Sequence, residues 1–253
     1  MTALTFLAFP AGVVIASLAS AVGIGGGILW MPFFILILKL SPETAVITSL
    51  LVQTAGMGSG SIAFIKQKRV DPPLAGVLLL LTLPGLGVGA FLTRLLSAAN
   101  LELALGILTL TTAFLFVSAN QKFADTGQER IPLKRVRRIG WIVSVMAVAS
   151  GMLSVSIGEW LVPLMRNRLN LRMRVAVATS IVTIFGTCVA GSLFHVILGS
   201  SANLGALIWA VPGVIIGGQI GPRITEKINE RMLKEIFIFL LTLIGIHLIY
   251  NSY

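Results

Sequence analysis

The sequence predicts an all-α integral membrane protein built from two inverted-topology repeats, each a broken-helix hairpin followed by three transmembrane helices. Three observations carry that expectation. The 253 residues are 56% hydrophobic and 11% charged, with a mean hydropathy of +0.97, whereas a soluble domain carries about 25% charged residues. The apolar residues fall in blocks of bilayer-spanning length, and the second half of the chain repeats motifs of the first. Such a chain lacks the polar surface to cover itself in water. A soluble enzyme, a nucleic-acid binder and a disordered protein are all excluded.

Charged and turn-forming residues separate eight apolar blocks, at 3–38, 43–65, 73–95, 101–119, 139–165, 174–198, 203–222 and 230–250. Most match the roughly 20 residues that cross a bilayer. The first is too long, and Gly23-Ile24-Gly25-Gly26-Gly27 interrupts it. The fifth is interrupted at 154–158. Consecutive glycines each forfeit about 1 kcal/mol of helix propensity, so both blocks are expected to be broken helices. Ala19-Ser20-Ala21 resembles a signal-peptidase site, but no Lys or Arg precedes it. The first block is therefore expected to be retained.

Shifted by 131 positions, Gly27-(x)4-Pro32 falls on Gly158-(x)4-Pro163. At the same shift Ala45-x-x-Thr48-Ser49 falls on Ala176-x-x-Thr179-Ser180. At 128, Pro84-Gly85-(x)3-Gly89 meets Pro212-Gly213-(x)3-Gly217, and at 129 Arg94 meets Arg223 and Asn100 meets Asn229. Motifs recurring in one order divide the chain into a first transmembrane repeat (1–119), a basic linker (120–138) and a second repeat (139–253).

Positive charge sets the topology. If each long block crosses once, the 19 Lys and Arg residues divide 9 against 10 between the two sides. If each long block instead enters and returns at its break, the division becomes 17 against 2, with only Lys39 and Arg94 on the minor side. The hairpin arrangement is therefore adopted; a full crossing and re-entry both satisfy the count. Both termini are expected outside, and the linker in the cytoplasm, of a multi-pass protein of the inner (plasma) membrane. Each half then makes three net crossings, which turns the halves upside down relative to each other. Inverted repeats with broken helices are a secondary-transporter architecture.

Gly25, Gly26 and Gly27 are candidate substrate-binding residues. A helix starting after a break offers unpaired N–H groups and the positive end of its dipole to an anion. Within lipid such backbone is tolerated only against protein or a water-filled cavity. The plainer alternative is a tight hairpin turn. A dinucleotide fingerprint does not fit, because Ile28 occupies the last glycine position and no βαβ context exists. Ser156 and Gly158 hold the corresponding positions of the second break. Thr48, Ser49, Thr179 and Ser180 follow the breaks as uncharged donors, or else bond to the carbonyl four residues back. Gln53 shares a helix face with Ser49. Its repeat mate is Ile184, so any role is one-sided. Glu159 is the acid with long apolar sequence on both sides. An intramembrane carboxylate is costly and usually functional, which makes it the proton-coupling candidate; the alternative is a carboxyl held by the broken helix's amides. His195 is read as a packed interface residue that could also titrate, and Cys188 as a small buried hydrophobe. One cysteine excludes an internal disulfide and a thiolate metal site, and neither a metal nor a cofactor is expected. The glycine pairs at 56/60 and 85/89 and the triplet 213/217/221 are read as close-packing ridges.

The Gly-Ile-Gly-Gly-Gly-(x)4-Pro segment, Thr48-Ser49 sixteen residues beyond Pro32, and the weaker second copy resemble the TauE/SafE family of sulfite exporters. That family is also called the sulfonate/sulfite uptake-permease (TSUP) family. The resemblance spans nearly the whole chain. It implies bacterial inner-membrane transport of sulfur oxyanions or small organosulfonates such as sulfite, thiosulfate or sulfoacetate. The chain departs from the family pattern where Ser156-Ile157-Gly158 replaces the second set of glycines and Glu159 follows.

The expected function is secondary transport of a small anion. No nucleotide-binding loop is present in the sequence, so ATP is not the direct energy source. A passive anion channel is the open alternative. A membrane-embedded enzyme fits less well, since His-Glu-x-x-His and Gly-x-Ser-x-Gly are missing and one Cys with two His is little machinery. The expected partners are a small sulfur-containing anion and the lipid bilayer, with no nucleic acid and a homodimer as the default assembly.

Overall fold

The computed structural model describes residues 4–118, 127–136, 138–224 and 230–251. A single 3-10 turn (Thr5–Leu7) leads into α1 (Ala8–Val22), and α2 (Gly27–Pro32) is prolonged by a π-helical turn (Phe33–Ile37). The first half continues with α3 (Pro42–Lys66), α4 (Pro72–Leu95) and α5 (Ala98–Ser118). The short α6 (Leu133–Val136) precedes α7 (Gly140–Leu153), α8 (Gly158–Leu169), α9 (Met173–Ile197), α10 (Leu204–Ile224) and α11 (Glu230–Asn251). Every apolar block is helical, and both long ones are broken. Among the described residues, six helices are long and apolar enough to cross a membrane. The described residues contain no strand, only an isolated bridge from Gln128 to Leu171. Residues 120–126 and 137 of the linker lie outside the described residues; its Glu129 pairs with Arg172 ahead of α9.

Local chemistry sets the boundaries. Pro42 and Pro72 open α3 and α4, where a missing N–H costs nothing. Asp71 caps α4 by accepting the Leu74 N–H, and Asn203 caps α10 by accepting that of Ala206. Pro32 has no N–H to continue the α-helical ladder, and the turn after it widens until Leu38 N–H reaches the Phe33 carbonyl. α1 stops at Gly23, whose φ of 81° is left-handed, as glycine allows. Its counterpart at the end of α7 is Ser154, with φ 56°. The same spacing of 131 relates Lys39 (φ 55°) to Asn170 (53°), and Lys68 (56°) to Gly199 (83°). The backbone thus repeats where the side chains do not.

The long helices form two three-helix bundles. In the first, Gly213 and Gly217 of α10 lie on the backbone of Phe9 and Val13 in α1, and Gly221 lies on that of Ser17. Gly56 and Gly60 of α3 meet Val214 and Gly218 of α10. Residue numbers rise together in all three, so α1, α3 and α10 run parallel. In the second bundle, Gly85 and Gly89 of α4 lie on Ser144 and Val148 of α7. Leu79 meets Gly186, and Gly87 meets Phe194, where α4 packs against α9. These three are parallel as well. Between the bundles the order reverses. Leu50 of α3 meets Gly191 of α9, whereas the Ser61 hydroxyl donates to the Ile181 carbonyl at 3.4 Å. The bundles run in opposite senses, and each borrows one helix from the other half of the chain. α5 and α11 pair through Gly106 and Gly245.

The glycine ridges bring backbone onto backbone, which gives dispersion contact in a medium that offers no hydrophobic drive. Hydroxyls add bonds along them: Ser59 to the Ile215 carbonyl at 2.7 Å, Ser144 to that of Leu81 at 2.6 Å, and Thr93 to that of Met152 at 2.9 Å. A Cβ at Gly217 would stand 2.9 Å from the Ser17 nitrogen and closer still to the Val13 carbonyl, whereas one at Gly76 would meet nothing within 4 Å. Gly217→Ala should therefore cost about 1–3 kcal/mol, read as a lowered melting temperature in detergent. Gly76→Ala should leave the melting temperature unchanged or raise it.

Candidate functional site

The two helix breaks meet at the centre of the molecule. Gly27 opens α2 beside Gln53, midway along α3, and a Cβ there would lie 3.0 Å from Gln53 Nε2 and overlap the Ser154 carbonyl oxygen. Gly158 opens α8 beside Ile184, midway along α9, and a Cβ there would lie 2.5 Å from both Ile184 Cδ1 and the Gly23 carbonyl oxygen. Gly25 sits against Ser156. The structure thus brings Gly25 and Gly27 directly onto the break at 154–158. Because α1 and α3 run parallel, α2 carries the chain back toward the end from which α1 entered.

The two helix starts differ in how their amides are used. In α2 the first internal bond is Leu29 N–H to the Gly26 carbonyl at 3.0 Å. The amides of Gly27 and Ile28 therefore have no partner within the helix. In α8 the equivalent Gly158 N–H donates to the Ser156 hydroxyl at 3.1 Å. Gly25 is the mate of Ser156 and has no hydroxyl to offer. Gly26 lies under Trp30, where a Cβ would stand 3.0 Å from the indole Cδ1. Trp30 stacks on Phe34 with centroids 5.0 Å apart.

The hydroxyl pairs that follow the breaks divide their work. Thr48 donates to the Thr44 carbonyl at 2.6 Å and accepts the Asn203 N–H at 3.0 Å. Thr179 accepts the Asp71 N–H at 3.1 Å. Each threonine therefore secures the capping residue ahead of a helix from the other half, and the two bonds are mates under the repeat. Ser180 donates to the Gly23 carbonyl at 2.8 Å. Ser49 is one step removed: it accepts from Gln53 Nε2 at 3.1 Å, and that nitrogen also reaches the Ser154 carbonyl at 3.0 Å and hydroxyl at 2.9 Å.

Glu159 is only 2% exposed, and neither carboxyl oxygen has a hydrogen-bond partner among the described residues. Glu159 follows Gly158 directly and so stands next to the contact with Gly23 and Ile24. His195 is buried, with Nε2 2.8 Å from the Gly151 carbonyl. A carbonyl only accepts, so that nitrogen carries the proton, and the ring joins α9 to α7. Cys188 is buried and free. No group of three or more metal-ligating side chains occurs among the described residues.

Motif reading singles out neither Asp71 nor Asn203, and Ser154 only as the edge of the second break. The signal lies in the repeat: Ser154 stands 131 residues after Gly23, and Asn203 stands 132 after Asp71.

This geometry defines a multi-pass helical membrane protein with two interlocked broken helices at its core. The chain belongs to the sulfite exporter TauE/SafE family, whose model matches residues 8–248. The "Probable membrane transporter protein YunE" of Bacillus subtilis (strain 168) is 29% identical over 95% of this chain and 96% of its own length. The "Probable membrane transporter protein YjnA" of the same organism is 25% identical, over 90% of this chain and 94% of its own. "Probable membrane transporter protein MamO" of Paramagnetospirillum magneticum is 34% identical over 36% of this chain, which is 16% of that protein. No solved structure matches the chain.

Thr179→Val keeps the shape of the side chain and leaves the buried Asp71 N–H without its acceptor. Thermal melting in detergent should show a loss of about 1–3 kcal/mol. Thr48→Val should cost a similar amount, since it strands the Asn203 N–H. A pair of variants that melt like the unsubstituted protein would show that these bonds do not hold the helix starts.

Proposed function

We propose that the protein is a secondary transporter of a small anion, bound where the two helix breaks meet. The observation that carries this reading is the α2 start. Gly27 and Ile28 present amides unused by their own helix at the middle of the molecule, with the positive end of the helix dipole behind them. Gly25 and Gly26 complete the turn that aims them. Ser49, Gln53, Ser156, Gly158 and Ser180 surround the same meeting point. The opposed directions of the two bundles support an inverted-repeat arrangement, with 1–119 and 139–253 as the repeats. The 17 to 2 division of Lys and Arg supports an inner-membrane topology with both termini outside and the linker in the cytoplasm.

The family description, sulfite exporter, supports sulfite as the first anion to test, with thiosulfate and sulfoacetate beside it. Glu159 supplies the coupling. A negative carboxylate next to a bound anion repels it, so anion binding and proton uptake at Glu159 favour each other. The two travel together.

Uptake of sulfite, thiosulfate and sulfoacetate into proteoliposomes under an imposed pH gradient tests the reading. Accumulation above equilibrium with at least one of them is expected; equilibration without accumulation would mark a passive channel. Gly26→Val should abolish binding, because a branched side chain cannot share the turn with Ile15 and Trp30. Wild-type affinity in a folded Gly26→Val protein would remove the turn from the site. Glu159→Gln mimics the protonated carboxyl and should bind the anion while losing accumulation driven by pH. If that variant still accumulates substrate, the proton travels elsewhere.

A further inference from the structure

The two bundles meet along α3 and α9 and at the two helix breaks. Along α1–α10, α3–α10 and α4–α7, glycine lets backbone lie on backbone, which resists sliding. Between them, α3 and α9 meet through side chains at Leu50 and Gly191 and at Gly58 and Phe185, and through the long bond from Ser61. Two stronger polar contacts also bridge the bundles, and they lie on opposite sides of the centre. Gln53 of α3 holds the carbonyl and hydroxyl of Ser154, at the end of α7. Ser180 of α9 holds the carbonyl of Gly23, at the end of α1. Ser61 is level with Ile181 and eight residues beyond Gln53, so the contacts are separated by roughly 12 Å along α3.

Resting on the transporter reading above, we propose that these contacts are the two latches of an alternating gate. The Gln53–Ser154 latch closes the path on the face that carries Lys39 and Arg94. The Ser180–Gly23 latch closes it on the face that carries Lys68. Gly27 stands beside the Gln53–Ser154 latch, and the Ser180–Gly23 latch lies beyond it toward Lys68, so releasing one latch at a time exposes an anion held there to one face at a time. The latches are unequal. Gln53 Nε2 shares its two protons among the Ser154 carbonyl, the Ser154 hydroxyl and Ser49, whereas Ser180 makes one bond, and Ile184, the mate of Gln53, adds none. Gln53 is also held through its nitrogen alone, since Oε1 has no partner among the described residues. The Lys68 face therefore opens more readily, and the asymmetry between Gln53 and Ile184 sets the resting orientation.

The test uses the full chain with Cys188→Ser, and Val155→Cys as a reporter in the second break, where Val155 is buried. A membrane-impermeant thiol reagent is applied to right-side-out and inside-out vesicles, with Lys68→Cys and Arg94→Cys proteins marking the two faces. Ser180→Ala should raise reporter labelling from the Lys68 face by about 2- to 10-fold, the factor for one lost hydrogen bond, and leave the Arg94 face unchanged. Gln53→Leu should do the reverse. Ile184→Gln supplies the missing amide and should lower labelling from the Lys68 face, which decides the matter even if Gln53→Leu fails to fold. Unchanged labelling, or both loss variants acting on one face, overturns the proposal. Sulfite flux in the same vesicles separates the two readings. Face-specific labelling without flux keeps the latches and removes the anion assignment, and flux without face-specific labelling does the opposite.

Discussion

Everything at the core depends on two chain breaks occupying the same small space. Gly27 fits only because it has no side chain to meet the Ser154 carbonyl, and Gly158 only because it has none to meet that of Gly23. Each break is thereby pressed against the end of the helix that precedes the other. The arrangement places helix ends, with their unpaired polar backbone, in the middle of an apolar protein. Such groups cost several kcal/mol each if left bare in hydrocarbon. Ser180 and Gln53 remove part of that cost by holding the carbonyls of Gly23 and Ser154, and Ser156 removes more by holding the Gly158 amide.

The two sites so formed are mates in backbone and unlike in chemistry. In one, Gly27 lies beside Gln53, which holds Ser154; in the other, Gly158 and Gly25 lie against Ile184, which offers no hydrogen bond. A polar side chain in the first place and an apolar one in the second makes the centre directional. That difference, rather than the shared scaffold, distinguishes one face of the molecule from the other.

Much of this was legible in the sequence, for a physical reason. Glycine and proline are chosen by backbone geometry, so their spacing survives while other side chains drift, and Gly27, Pro32, Gly158 and Pro163 marked the breaks directly. The hydrophobic blocks needed only the length of a bilayer. The partners of Thr48 and Thr179 could not be read in the same way. Asn203 and Asp71 lie 155 and 108 residues away, and no local pattern encodes a contact between a hydroxyl and a distant helix start. The exchange of α10 and α4 between bundles was hidden likewise, because small-residue ridges declare that a helix packs closely without naming its neighbour. The recurrence of left-handed residues at Lys39 and Asn170, and at Lys68 and Gly199, was hidden for another reason: Asn170 and Gly199 favour that turn, but their mates are lysines, which do not.

The exchange of helices between bundles bears on how the chain is made. α1 and α3 are synthesised early, yet the glycine face they require belongs to α10, about 200 residues after α1 and about 160 after α3. α4 likewise waits for α7. Until then the first helices sit in lipid with small-residue surfaces uncovered and the Gly23 carbonyl without Ser180. Assembly is therefore a late, cooperative event governed by the last helices to leave the ribosome. Truncation ahead of α10 would leave inserted but unassembled helices, the kind of substrate that membrane proteases recognise.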